Sequence, residues 1–189
     1  MAHLGGAYWN DTLLRNAGFR TLGDGVKVHE RASLYHVENI SLGHQVRIDD
    51  FVLIVATGFL IMGDHSYVAN YGYLGATAGI TLEEGVTLAP GVKIFSSSDD
   101  YSGGHLTNPT WPAHLTGGQR AEVILRRHVI VGAGSVILPG CVLGEGVSVG
   151  ALSLVKESLD PWGIYAGIPA KRIGERRRDL LQHLEGARP

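Results

Sequence analysis

From Leu125 to Val155 the apolar residues Leu125, Val131, Ile137, Leu143, Val149 and Val155 recur every six positions. Each of the first five is followed four residues later by a small or β-branched residue: Val129, Ser135, Cys141, Val147 and Ser153. A period of six belongs neither to an α-helix, at about 3.6, nor to a lone strand, at about 2. It predicts a parallel β-solenoid in which each hexapeptide forms one side of a three-sided coil and its apolar residue points inward. Gly132, Gly134, Gly140, Gly144, Gly146 and Gly150 then fall at corners, where the backbone takes conformations closed to other residues. In a helix each of those glycines would cost about 1 kcal/mol.

The same beat runs upstream. Shifted against itself by twenty residues, the chain stacks the segments that begin at Leu22, Leu42, Met62 and Leu82. Every inward position is apolar: Val28, Leu34 and Ile40, then Ile48, Ile54 and Leu60, then Val68, Leu74 and Ile80, and last Leu88 and Ile94. After Ile94 the beat stops, and a loop over 95–123 intervenes before it resumes. A loop of that length inside a compact domain, carrying aromatics and two histidines, points to function. Ahead of the repeat, residues 1–21 form a cap: Asn10 or Asp11 starts a short helix through Asn16, Gly18 stops it, and Trp9, Leu13 and Leu14 close the open end. The β-helix occupies 22–156. Residues 157–189 form an extension that ends as a helix from Glu175 to Leu184, with Leu180, Leu181 and Leu184 on its packed face. The expectation is one all-β domain over 1–189, and a chain this long buries enough surface without a second one.

Composition narrows the function classes. Glycine reaches 27 residues without G-X-Y triplets, which fits a corner-rich solenoid and excludes collagen. A net charge of -2 gives no global electrostatic case for nucleic acid or an anionic membrane, so small-molecule partners come forward. The single cysteine, Cys141, falls at an inward position and reads as a small core residue; one thiol allows no internal disulfide and suits the cytoplasm. The opening MAHLGGAYWN has no basic start with an apolar core, and no run of 18 apolar residues occurs, so membrane insertion is not expected. His29, His36, His44, His65 and His128 fall at outward positions and read as surface residues. Tyr67, Val68, Tyr71 and Tyr73 are read as apolar patches on flat faces, which favours an oligomer.

The GAGSV, LPG and GEGVSVGA units and the closing GIYAGIPAKRI make the chain resemble the hexapeptide-repeat acyltransferases. RIDDF at 47–51 and SSSDDYSGGHLTNPTWP at 96–112 are similar to a branch of sugar and surface-polysaccharide O-acetyltransferases. The resemblance implies a left-handed parallel β-helix, a homotrimer with active sites between subunits, and acetyl-CoA as acyl donor along the C-terminal coils. It implies a pantetheine wall at Ala133, Gly150 and Ala151, although small residues at corners also simply satisfy the turn. Lys156, Pro169, Lys171 and Arg172 would meet the rest of the cofactor, the cations suiting phosphate. Arg176 to Arg178 are read instead as a solvated cationic helix face. Asn70 and Tyr71 match a segment that binds acceptor hydroxyls in related sugar acetyltransferases. The carboxylates that follow it in galactoside acetyltransferases are missing here.

Attack of a hydroxyl on a thioester needs a base, and in the related enzymes a histidine stands just before the long loop. Here that place reads SSSDD, with Asp99 at the expected position. His105 is the nearest replacement, with Asp99 or Asp100 orienting its ring; the alternative is that both aspartates cap the turn. No histidine triad of the γ-class carbonic anhydrase kind is present, so no metal is expected. The reading is an acetyl-CoA-dependent O-acetyltransferase acting on a sugar hydroxyl in surface-polysaccharide synthesis. The alternatives are an N-acetyltransferase of a nucleotide-linked amino sugar and a non-catalytic solenoid scaffold.

Overall fold

A computed structural model describes residues 5–187, with side chains through Leu184. Three parallel sheets form the faces of a triangular coil. The first face stacks Thr21–Leu22, Ile40–Leu42, Leu60–Met62, Ile80–Leu82, Val123–Leu125 and Val142–Leu143. The second stacks Lys27–Val28, Arg47–Ile48, Tyr67–Val68, Thr87–Leu88, Ile130–Val131 and Ser148–Val149, and continues into Gly163–Ala166. The third stacks Ser33–Tyr35, Leu53–Val55, Tyr73–Gly75, Lys93–Phe95, Val136–Ile137 and Leu154–Val155.

The inward positions of the repeat form the core. Ile40, Ile48, Ile54, Leu60, Leu74, Ile80, Leu82, Leu88, Ile94, Leu125 and Ile137 are fully buried, each stabilising the coil by about 1.5–3 kcal/mol relative to exposure. Leu22 and Leu34 are only half-buried because the first coil has no neighbour beneath them. Val68 belongs to this core too, fully buried, so the expected surface patch loses it; Tyr71 is exposed, while Tyr67 and Tyr73 are half-buried. Cys141 is buried as expected, and burial pushes its thiol up to about 11.

Each end carries a partial cover. The N-terminal segment runs along the first coil, with Trp9 N–H donating to the Val28 carbonyl at 2.9 Å and the Tyr8 ring edge-on to His29. His29 is therefore buried rather than on the surface; His36, His44 and His65 are exposed as expected. Helix α1, Asp11–Asn16, is capped by Asn10, whose side-chain oxygen accepts from Leu13 N–H at 2.9 Å. Leu14 enters the core, whereas Trp9 and Leu13 stay exposed beside a shallow apolar groove.

At the other end the expected helix start is corrected. Lys171–Glu175 is a strand that folds back antiparallel on Gly163–Ala166, giving that strand's outer edge backbone partners instead of leaving it open. Arg176 does not lie on a helix face: its guanidinium donates to the His128 carbonyl at 2.7 Å and the Gly146 carbonyl at 3.1 Å. Arg178 lies 5.2 Å over the Trp162 ring. Helix α2 spans Leu180–Ala187, with Leu180, Leu181 and Leu184 half-buried.

The extruded loop leaves the third face after Lys93–Phe95 and returns to the first at Val123–Leu125. Its stem is an antiparallel ribbon pairing Ser97 with Arg120 and Asp99 with Gly118. Coil stacking is uninterrupted across it, with Ile80 opposite Val123 and Ile94 opposite Ile137.

Candidate active site

The loop arches over the outer side of the third face and encloses a cleft of about 1190 Å³. Tyr73, Phe95, Val136 and Leu138 form its floor, and Asp99, Tyr101 and Arg120 line the loop side. The Tyr73 and Phe95 rings pack at 5.1 Å. A second depression of about 650 Å³ lies on the first face, where both arginines are already paired, Arg126 with Glu83 at 2.6 Å and Arg127 with Glu145 at 3.9 Å.

Asp99 and Asp100 part company because successive residues along an extended segment face opposite sides. Asp99 turns into the cleft, exposed to its solvent. The Asp100 carboxylate accepts from the Ser102 hydroxyl at 2.6 Å and Ser102 N–H at 2.7 Å, and its other oxygen sits 2.9 Å from Nδ1 of His105. The Ser102 hydroxyl, then His105, then the Ser102 amide hold that carboxyl well below the usual range. Of the three expected catalytic residues, the structure thus joins Asp100 to His105 and sets Asp99 alone among the cleft-lining groups.

The third face, over which the cleft lies, is bordered by the corner between the second and third faces, where coils stack two corner residues each. Amide donors climb it coil by coil: Gly91 to the Asn70 carbonyl at 3.0 Å, Gly134 to Pro90 at 2.9 Å, Leu152 to Ala133 at 2.8 Å. The expected acceptor residues Asn70 and Tyr71 and the expected wall residues Ala133 and Ala151 therefore share one edge. Between Tyr71 and Leu152 nothing longer than proline or alanine protrudes from it. Gly132 is demanded by this stacking, since a Cβ there would sit 2.4 Å from the Ala151 nitrogen. Gly150 supports the edge from within: its N–H donates to Tyr165 at 2.7 Å and its carbonyl accepts from the Ser135 and Ser153 hydroxyls.

Pro169 lies one level further, in an exposed turn tied down where Gly167 N–H donates to the Ser153 hydroxyl at 3.1 Å. Lys171 and Arg172 follow on the fold-back strand, both exposed; Arg172 is paired with Glu175. Lys156 sits away from the edge, after the last third-face strand and 3.5 Å from Glu157.

Sequence reasoning missed Arg31 and Phe51, which share the Tyr71 column. Phe51 and Tyr71 stack at 5.2 Å with planes 9° apart, and Arg31 lies 4.6 Å over the Phe51 ring. Arg31 also pairs with Asp50 at 2.9 Å. The offset of twenty that aligned the coils already places residues 31, 51, 71 and 91 in one file. Tyr73 and Phe95 likewise fall at outward positions whose partner, the folded loop, only the structure supplies.

A hexapeptide coil with one extruded loop, a cleft beneath it and a bare corner beside it defines an acyltransferase architecture, and this chain belongs to the hexapeptide-repeat acyltransferases. No family profile matches it. It is 38% identical over 177 residues, 93% of this chain and 92% of the relative, to a dTDP-4-amino-4,6-dideoxy-D-glucose acyltransferase of Escherichia coli. A putative lipopolysaccharide biosynthesis O-acetyl transferase of E. coli K12, WbbJ, is 28% identical over 153 residues, 77% of this chain and 74% of that one. Among solved structures, AntD, an N-acyltransferase from Bacillus cereus in complex with dTDP and 3-hydroxybutyryl-CoA, superposes with a TM-score of 0.93 at 36% identity, covering 97% of each chain. The coil is accordingly the left-handed parallel β-helix expected from the resemblance. Among the described residues no group of three His, Cys, Asp or Glu is arranged to hold a metal, and no helix is long and apolar enough to cross a membrane.

Proposed function

We propose that this protein transfers an acyl group from a coenzyme A thioester to the amino group of a nucleotide-linked amino sugar of the dTDP-4-amino-4,6-dideoxyglucose kind. The observation that carries the reading is Asp99, the one carboxylate among the described cleft-lining residues. A carboxylate with an ordinary pKa near 4 is a weak base for an alcohol. For an amine it suffices. The nitrogen lone pair attacks the thioester carbonyl and the C–N bond forms. Asp99 takes the acidic proton of the resulting ammonium, and collapse breaks the C–S bond to release coenzyme A. The extensive likeness to a dTDP-4-amino-4,6-dideoxy-D-glucose acyltransferase and to an N-acyltransferase seen in complex with dTDP-4-amino-4,6-dideoxyglucose supports the same acceptor.

The acyl donor would run along the bare edge at Ala133, Gly150 and Ala151 and turn its phosphates toward Pro169, Lys171 and Arg172. Asn70 and Tyr71 would hold the acceptor at the far end. We place the protein in the cytoplasm as a homotrimer of single-domain subunits. Exposed Phe51, Tyr71, Leu152 and Ile168 along one side leave apolar surface for a neighbouring subunit. Light scattering should return about 60 kDa, three times the 20.2 kDa chain; a mass of one chain at micromolar concentration would sink the trimer.

The O-acetyltransferase reading rests on WbbJ and on His105, whose Nδ1 is engaged by Asp100, leaving Nε2 to accept a proton. Coenzyme A release, followed as free thiol, separates the two. With acetyl-CoA and hydroxyacyl-CoA as donors, release is expected with dTDP-4-amino-4,6-dideoxyglucose and not with dTDP-glucose or free sugars. Release only with hydroxyl acceptors would overturn the amine assignment.

A further inference from the structure

Residues 31, 51, 71, 91, 134 and 152 occupy one corner column, one per coil. Three of its side chains form an ordered stack: the Arg31 guanidinium, the Phe51 ring and the Tyr71 ring. The next two are glycines, and a Cβ built on Gly91 would meet only Gly134 backbone atoms, at 3.8 Å. Leu152 closes the far side, 72% exposed. Coils rise roughly 4.8 Å each, so the glycines vacate two levels directly beyond Tyr71. One face of the Tyr71 ring lies on Phe51; the other looks into that notch, and the residue is 59% exposed.

The column is costly for a corner with no further task. Phe51, Tyr71 and Leu152 hold φ at 57°, 62° and 54°, a region that bulky residues enter at a cost, whereas glycine serves the same corner at 91 and 134. Stacked rings with one face left to water also give up the burial that makes aromatics worth placing. A flat partner on Tyr71 would account for both. It must be planar, at most two levels thick, and carried by something that lies along the bare edge.

We propose that the Arg31–Phe51–Tyr71 column is the fixed part of a nucleobase stack, completed by the base of a bound nucleotide lying against Tyr71 over Gly91 and Gly134. The proposal rests on the reading that nucleotide ligands occupy this edge. Two of them carry a base; coenzyme A, with its phosphates toward Lys171 and Arg172, keeps its adenine at that end, so the base on Tyr71 is that of the nucleotide-sugar acceptor. Selectivity would come from thickness and from the wall that Leu152 presents, and Arg31 at the remote end covers the outer face of Phe51 by a cation–π contact.

Titration calorimetry on the full-length protein with dTDP, with coenzyme A and with 4′-phosphopantetheine, which lacks a base, tests the stack. Tyr71→Ala is expected to weaken dTDP by about tenfold to a hundredfold, Tyr71→Phe to restore it, and phosphopantetheine to bind all three proteins alike. Loss confined to dTDP assigns the acceptor's base to the notch; loss confined to coenzyme A would overturn that assignment. Gly91→Tyr, whose corner conformation Tyr71 already shows to be accessible, should fill the notch and abolish the same affinity. If neither ligand changes by more than about twofold, if both weaken without rescue by Tyr71→Phe, or if the unaltered protein binds neither, the proposal fails and the column is a subunit contact. Because the readout is binding, absence of turnover on the amino-sugar acceptor would count against the reaction assignment and leave the stack standing.

Discussion

Nδ1 of His105 lies 2.9 Å from Oδ2 of Asp100, an ion-pair geometry within the loop, and neither residue is among those that line the cleft. Asp99 faces the cleft instead. Asp99→Asn is expected to lower turnover on the amine acceptor about a hundredfold or more, in line with general-base losses, with acyl-CoA binding intact. His105→Ala should stay within about threefold of the unaltered enzyme. Steady-state coenzyme A release checks both, and the opposite ranking would return the base to His105.

Lys171 and Arg172 stand side by side on the fold-back strand, but Arg172 is engaged by Glu175 while Lys171 has no ion pair among the described residues. Lys171→Ala is expected to raise the KM for acyl-CoA severalfold with little change in turnover, because a contact remote from the thioester contributes alike to ground and transition states. Arg172→Ala should do the same more weakly. An unchanged KM in both variants would place the nucleotide of the cofactor elsewhere.

How far the chain could be read in advance depends on whether a position's surroundings repeat. Ile48, Val68, Leu88 and Val131 sit in one environment translated along the axis, so burial at one predicts burial at the rest; setting Val68 among surface tyrosines went against that count. His29 and the Lys171–Glu175 strand fall outside this logic. One is covered by Tyr8, the other pairs with Gly163–Ala166, and both contacts are made by segments that follow no repeat. The loop is the extreme case. SSSDD shows two carboxylates at a promising place, yet which one meets the cleft is settled by the ribbon register of Asp99 opposite Gly118 and by Ser102 claiming Asp100.

Ser66 occupies an inward place filled by Val46, Val86, Val129 and Val147 in other coils. It is fully buried, and its hydroxyl has no hydrogen-bond partner. An orphaned buried hydroxyl costs about 1–3 kcal/mol, partly offset here by the packing its oxygen supplies. Ser66→Ala is expected to raise the melting temperature by roughly 2–4 °C, the equivalent of about 1 kcal/mol for a chain this size. Scanning calorimetry decides; a lower melting temperature would mean that the hydroxyl is satisfied after all.

Asp49 accepts from the Tyr67 hydroxyl at 2.6 Å, the Tyr8 hydroxyl at 2.8 Å and Arg47 Nε at 2.7 Å. Burial, then the bond to Asp49, pushes the Tyr67 phenol up to about 12 from an ordinary 10.0. A folded pKa above the unfolded one stabilises below the unfolded value and fades as pH climbs to the folded one. For Asp49, burial acts upward but the hydrogen bonds from Arg47, Tyr67 and Tyr8 outweigh it, so its contribution is present above the ordinary carboxylate range and lost in acid. The melting temperature should therefore fall between about pH 10 and 12, and Tyr67→Phe should be less stable at pH 8 yet flatter across that window. An equal alkaline slope in both proteins would assign the loss to other groups.

The loop's point of departure has a consequence for how this scaffold diversifies. Ile80 meets Val123 and Ile94 meets Ile137 as though residues 96–122 were absent, so the loop is a detour that the stacking does not notice. Closing a longer or shorter detour changes loop entropy only slowly with length. The loop wall of the cleft can thus be rewritten, lengthened or exchanged while the bare corner of the coil stays fixed, and a change in one does not constrain the other.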